Sequence, residues 1–333
     1  MKRKNYILIF LLLVLIVSCN LHKDRLNVDI SDIKINEIRI KRYDRDLFNI
    51  KVNNLQQGLE SIRGKYLFFL GTDLSDARKL AEMSDYLRNP RNIEFHRASE
   101  AAFPNLDNVE KDLTYGFRHF KYYFPKQMIP EVYSYISGGD YDTPVRLADS
   151  VMIIALDTYL GESFKPYLSD GLPLYRVKRM TAEHIVPECM SVMISQVCPS
   201  DQTAVRLLDL MIDSGRQHWL LDAVLPGLPG YIKFDYTPGQ FDWVTKNESH
   251  VWAAMIENRM LYSADGKVVR IFFSDGPNTP EFGKESPPRM GEYLGWRIVK
   301  SYLDNHPEIP VQKIIADTDY QSILAQSGYK PSK

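Results

Sequence analysis

Apolar positions recur every three or four residues through most of the second half of the chain, the spacing of one face of an α-helix. "TAVRLLDLMIDSGRQHWLLDAVLPG" carries Leu207, Leu208, Met211, Ile212 and Leu220 at that spacing. It predicts a long helix that ends before Pro226 and Gly227. "TPGQFDWVTKNESHVWAAMIENRMLY" predicts another, with Thr237 as N-cap, Pro238 at the first helical position and Gln240 at the third, a capping box. "SPPRMGEYLGWRIVKSYLDNHP" predicts a third helix, stopped by Pro307. A short last helix covers 319–326, with Gly328 as its C-cap. Residues 187–197 are strongly apolar and open on Pro187, which suits the first turn of a buried helix.

The first half alternates between periods. In "DIKINEIRIKRYDRDLF", Ile33, Ile35, Ile38 and Ile40 alternate with polar residues, and the parity slips near Asn36 and Glu37. That predicts a half-buried strand with a bulge. Residues 44–69 then read as helical, "LSDARKLAEMSDYLRNP" as a helix closed at Asn89 and Pro90, and "NVEKDLTYGFRHFKYYFP" as a helix stopped at Pro125. "PEVYSYISG" and "VMIIALDTYLG" are rich in Val, Ile and Tyr and bounded by turn residues, so they read as strands. Between them "GGDYDTPVRLADS" holds a short strand candidate among turn residues. The expected fold is one α+β domain over 29–333, mainly helical, with a small sheet.

The N-terminus breaks this pattern. Lys2, Arg3 and Lys4 precede an almost unbroken apolar run over 6–17, then Ser18 and Cys19. A charged start, a short apolar core and a small residue before the cut describe a signal peptide over 1–18. The core is well below the roughly 20 residues a spanning helix needs. "I-V-S-C" has the form of a bacterial lipobox, which makes Cys19 the lipidation site and 19–28 an anchor and tether. Two acyl chains suffice for stable anchoring. The formal charge of −1 becomes −4 once the three signal-peptide cations are removed, and no basic block remains. Nucleic acid is therefore excluded as an expected partner. Cys189 and Cys198 lie nine residues apart, too far along one helix to bridge, and read as buried thiols.

"MIDSGRQHWLLDAVLP", "YTPGQFDWVTKNESHVWAAMIENRMLYSAD", "SPPRMGEYLGWRIVKSYL" and the terminal "SGYKP" resemble the gliding motility lipoprotein GldB family of Bacteroidetes. "YSYISGGDY", "IALDTYLGESF" and the lipobox fit it as well. The resemblance implies a cell-envelope lipoprotein that serves gliding or the secretion system sharing its parts, with envelope or secretion-machinery proteins as partners. It implies no catalytic residue. Acidic residues soon after the lipidated Cys mark surface export in this phylum, and only Asp24 is present, so the expected place is the periplasmic face of the outer membrane. The family is in turn distantly similar to zincin-like zinc peptidases, which carry H-E-x-x-H on one helix and a glutamate in an "EG-x-A" block on a following one.

The residues at those places depart from a zinc site. Such a site needs two histidines at i and i+4, a glutamate beside the first, and a third ligand. Here Glu183 precedes His184, Glu188 stands where the second histidine belongs, and "DSGR" puts Ser214 in the glutamate's place beside Asp213. Pro187 inside a helix would cost about 3 kcal/mol or more. The cheaper arrangement starts the helix near Pro187, with His184 ahead of it. The expectation is thus no cofactor, no metal and no catalytic residue, with His184, Glu188 and Asp213 as the candidates for a divergent site. A divergent metal-dependent peptidase, or a peptide- or glycan-binding module using a zincin-like cleft, are the alternatives. Asn247, Glu248, His250 and Trp252, and the stripe Arg289, Arg297 and Lys300, read as structural. The Pro/Gly-rich loop "DGPNTPEFGKESPPR" is the expected partner contact.

Overall fold

A computed structural model describes residues 25–331, so the signal peptide and Cys19 lie outside the described residues. The chain is tied down from Arg25, whose guanidinium donates to the carbonyl of Leu303 at 3.2 Å and stacks over Trp219. Residues 33–40 run extended but form no ladder, contrary to the strand that their alternation predicts. The Ile38 amide donates to Thr114 Oγ1 (3.0 Å) and the Ile40 amide to Glu110 Oε1 (2.8 Å). Both isoleucines are buried. The alternation is real, but the surface it packs on is a helix, and helix side chains satisfy the backbone.

Pairing starts only at strand β1 (Lys41–Arg42). Helix α1 (Tyr43–Phe48) follows, then a break, then α2 (Leu55–Arg63). The single helix expected over 44–69 is interrupted because the chain doubles back and seats Ile50 against Gly58, where a Cβ would collide with it. Helix α3 (Ala77–Arg88) is capped by Asp76. Asn89 and Pro90 do close it, but they also open α4 (Pro90–Ala102), with Asn89 as N-cap and proline at the first position. Helix α5 (Asp107–Tyr123) completes the N-terminal helices.

The sheet adds β2 (Glu131–Tyr135), β3 (Val145–Ala148) and β4 (Val151–Ala155) in the order β1-β2-β4-β3. The pairs β1/β2 and β2/β4 are parallel, with Tyr133 opposite Lys41 and Ile153. The pair β3/β4 is an antiparallel hairpin. Beyond β2, "SGG" wraps around the buried carboxylate of Asp157, which accepts from the Ser137 amide (2.8 Å), the Ser137 hydroxyl (2.8 Å) and the Gly138 amide (3.0 Å). Burial nevertheless raises that carboxyl above its usual range.

The C-terminal half is helical: α6 (Ile185–Val197), α7 (Leu207–Val224), α8 (Pro238–Glu257), α9 (Gly266–Phe273), α10 (Met290–Asn305), α11 (Val311–Ala316) and α12 (Tyr320–Ser327). The capping box of α8 forms as predicted, Gln240 N–H to Thr237 Oγ1 at 3.2 Å and Thr237 N–H to Gln240 Oε1 at 3.0 Å. Helix α7 buries residues on every side, as a helix at the centre of a core must. It crosses α10 backbone to backbone through Gly215 and Gly295. Glu248, buried on α8, accepts from Tyr293 (3.0 Å), Arg297 (2.8 Å) and Tyr329 (2.6 Å), which pins the C-terminus to the bundle. Cys189 and Cys198 are free and buried, and burial raises both thiols, Cys198 to about 11. Among the described residues no helix is long and apolar enough to cross a membrane.

Candidate functional site

The loop 275–289 turns back over the start of α8 and walls a cleft of about 890 Å³. Arg179, His184, Tyr231, Asp235, Gln240 and Pro277 stand among its lining residues. The wall is fixed. Gln240 donates to the Pro277 carbonyl at 2.7 Å, and Arg179 pairs with Asp275 at 2.9 Å. Inside the loop, the fully buried Ser286 hydroxyl donates to Gly283 O at 2.7 Å, and Thr279 Oγ1 donates to Pro287 O at 2.8 Å.

His184 closes a short 3₁₀ turn (Ala182–His184) and serves as N-cap of α6, its Nδ1 2.9 Å from Thr181 Oγ1. The helix begins at Ile185, two residues earlier than Pro187 suggests, and absorbs that proline in its first turn, where no intrahelical bond is lost. The start expected at Pro187 removed the i, i+4 face of His184 and Glu188; with the helix starting at Ile185, His184 stays ahead of it as N-cap but holds helical backbone, φ −88° and ψ −13°, which keeps the spacing. His184 Nε2 lies 3.9 Å from Asp235 Oδ1, and Glu188 feels the same carboxylate. Burial lowers the imidazole's pKa, so it is neutral at pH 7.

Glu188 accepts a hydrogen bond from the Tyr159 hydroxyl. Burial, with a smaller contribution from Asp235, pushes its carboxyl up to about 7 against the bond's opposing effect. The folded state therefore binds the Glu188 proton more tightly than the unfolded state. Its contribution to stability is largest below the unfolded value and is lost as pH rises from about 4.5 to about 7, by at most about 3 kcal/mol. Glu188→Gln is expected to flatten this slope: its urea midpoint should fall less than the wild type's between pH 5 and pH 8. Parallel slopes for the two proteins would show that Glu188 stays ionised in the fold.

The charge centre of the site is Arg289, which the sequence placed in a structural stripe and not among the site candidates. It donates to the Phe234 carbonyl and to Asp235 Oδ2, both at 3.1 Å, and faces Asp275 at 3.5 Å and Glu292 at 3.6 Å. Asp235 and Arg289 both hold left-handed backbone, φ 53° and 51°. Two paired residues in that region concentrate strain at one point, as functional clefts do. Burial alone would lower the guanidinium, but Glu292 and Asp235 hold it above its usual value. Burial would raise Glu292, but Arg289 and a contact from His218 (3.3 Å) pull it below.

Asp213 takes no part. It accepts from the Asp201 amide at 3.1 Å and pairs with the buried Arg216, which donates to the carbonyls of Ile315 (3.0 Å) and Asp317 (2.8 Å) behind α11. The structure thus sets Asp235 near both His184 and Glu188 and leaves Asp213 apart. Their donor atoms do not close on one point. Among the described residues the acid and histidine group that does is Asp44, His96 and Glu100. Arg42 and Arg45 already occupy those carboxylates, at 2.7 and 3.0 Å, so a cation there would face two guanidiniums. Of the stripe residues, Arg297 pairs with Glu248 and Lys300 with Asp304. Asp235 gave no signal in the sequence, since nothing local sets it apart from other turn acids.

The fold and cleft define a mainly helical α+β domain with one rigid, charged, walled groove on its helical half. The chain belongs to the gliding motility protein GldB family, whose model matches residues 23–331. No curated protein and no solved structure matches it.

Proposed function

We propose that the protein is a lipid-anchored, non-enzymatic component of the envelope machinery of gliding and its linked secretion, and that the cleft walled by loop 275–289 holds a segment of a partner protein. Membership in the gliding motility protein GldB family supports this reading. The observation that carries the binding role is the fixed wall itself. Its buried charges are paired with one another, while Lys284 and Glu285 remain at the surface to meet a polar chain. Cys19, on the periplasmic side of the outer membrane, supplies the anchor. A photo-crosslinker placed at Lys284 in the native host is expected to capture one protein of that machinery. Capture should fall when Arg179→Glu disturbs the wall. Diffuse labelling that Arg179→Glu leaves unchanged would move the contact elsewhere, and full membrane retention of Cys19→Ala would remove the anchor.

The i, i+4 spacing of His184 and Glu188, with Asp235 near both, favours one second reading, a divergent metal-dependent peptidase. Stoichiometric zinc in the purified protein, lost in His184→Ala, would put that reading in place of the first.

A further inference from the structure

Arg25 fixes where the chain joins the domain. Its guanidinium donates to the carbonyls of Leu303 (3.2 Å), His306 (3.4 Å) and Ile309, and it lies over Trp219. It also feels the hydroxyl of Tyr123 at the end of α5. Leu26, Asn27 and Val28 then line a groove of about 410 Å³ with Tyr115 and His119 of the same helix and with Pro226 and Gly227 beyond α7. The chain therefore enters at the C-terminal end of α5 and runs towards the middle of that helix. Arg25 is the sixth residue after Cys19, and six residues reach about 20 Å at full extension. A lipid on Cys19 would hold a bilayer within that distance of the end of α5.

The surface at that end of α5 suits an interface. Lys111, Tyr115, Arg118 and Tyr122 follow one another at four, three and four residues, which sets them in one stripe of the helix. Tyr115 is 44% exposed and Tyr122 43%, and Met128, just past the helix, is 68% exposed. Lys121 donates to the carbonyls of Pro125 (2.6 Å) and Gln127 (2.7 Å), which folds the turn back onto the helix and holds Met128 outside the core. Arg118 Nε is buried without a hydrogen-bond partner in the protein. Over 111–128 four cations meet one acid, Asp112. Tyrosine pairs an apolar ring with a polar tip, and lysine an apolar stem with a charged head, so both settle at membrane–water boundaries. The other flank of Arg25 has no such excess of positive charge: Asp304 is paired with Lys300, and Glu308 is exposed. An anionic surface therefore draws the α5 flank and not that one.

We propose that this stripe of α5, with Met128, rests on the phospholipid surface that holds the anchor, its tyrosine and methionine side chains among the headgroups and its cations on lipid phosphates. The inference rests on the reading of Cys19 as the lipidated residue. The short leash brings the end of α5 to the bilayer, and the stripe decides which side of the domain lies on it.

The test uses the acylated mature protein in vesicles of phosphatidylethanolamine and phosphatidylglycerol that carry a nitroxide-labelled lipid. Tyr122→Cys and Tyr262→Cys each take one environment-sensitive fluorophore, since Cys189 and Cys198 are buried. Tyr262 is 54% exposed and follows Leu261, whose carbonyl accepts from the Leu208 amide at the start of α7, about 25 Å along that helix from Pro226. Fluorescence at 122 is expected to shift to the blue and to be quenched by the nitroxide; at 262 it should do neither. Lys111→Glu combined with Lys126→Glu should remove most of the quenching at 122, with the melting temperature and the membrane-bound fraction unchanged. Unchanged quenching in that double variant would overturn the part given to the cations. Equal quenching at 122 and 262, or none at 122, in protein whose mass shows an acylated Cys19 would overturn the orientation and leave the anchor standing. A mature chain without the acyl mass would overturn the anchor, and this inference with it.

Discussion

Gly295→Ala is expected to lower the protein's stability by about 3 kcal/mol or more, the largest effect of any single methyl group added to this fold. A Cβ on Gly295 would overlap the Met211 carbonyl oxygen of α7 and stand 3.0 Å from its Cα, and one on Gly215 would meet the Trp296 amide nitrogen at 2.7 Å. These are backbone atoms, so no rotamer change relieves them. The two helices must separate along a seam lined by Leu207, Leu208, Met211, Leu294 and Ile298, all fully buried. Separation opens voids that the close-packed core cannot refill. The thermal midpoint should drop by about 6 °C or more, and Gly215→Ala should behave alike. Gly266→Ala is the control. An added Cβ there meets only the end of Arg270, at 3.5 Å, so the change should be neutral or slightly stabilising. Equal melting temperatures for the Gly295 and Gly266 variants would show that α7 and α10 do not cross as closely as described.

That crossing shows where legibility in the sequence ends. Helix periodicity located α7, α8, α10 and α12 because each has a continuous apolar face and a local stop or cap. It could not say that two glycines eighty residues apart, Gly215 and Gly295, would touch, since either one alone reads as a mild helix-weakening residue. The alternation of Ile33 to Ile40 gave a true account of which side chains are buried and a false one of what covers them, because a helix hid the same face that a sheet would have. Pro90 could be read as a stop; the same Asn89–Pro90 pair also caps and opens the next helix, a start signal equally written in the sequence. For the site, the loop 275–289 was legible from its prolines and glycines, and His184 and Glu188 from their spacing. The network of Asp235, Arg289 and Glu292 was not: Arg289 was read as one of a structural stripe, and the acid that pairs with it from a distant turn leaves no local period.

Arg289→Ala is expected to damage the cleft's frame and the fold together, by about 3–5 kcal/mol at pH 7, the usual cost of leaving a partly buried charge unpaired. The side chain is 18% exposed and faces Asp235, Asp275 and Glu292 at once, so its removal leaves three carboxylates around one hole. The pH dependence separates this from simple loss of packing. In the wild type, Arg289 and His218 hold the Glu292 carboxyl below its ordinary value. Its contribution is then present above the unfolded pKa and is lost as pH falls through the folded one. Without Arg289, burial dominates, the carboxyl is raised, and the variant loses stability as pH rises above the unfolded value. The gap between wild type and variant should therefore widen from pH 4.5 to pH 7 in urea unfolding. Adding Glu292→Gln to Arg289→Ala should recover part of the loss at pH 7, because it removes one of the stranded charges. A gap of constant size, with no recovery in the double variant, would mean that Arg289 serves only to fill space, and that the charges around Asp235 do not hold the cleft in shape.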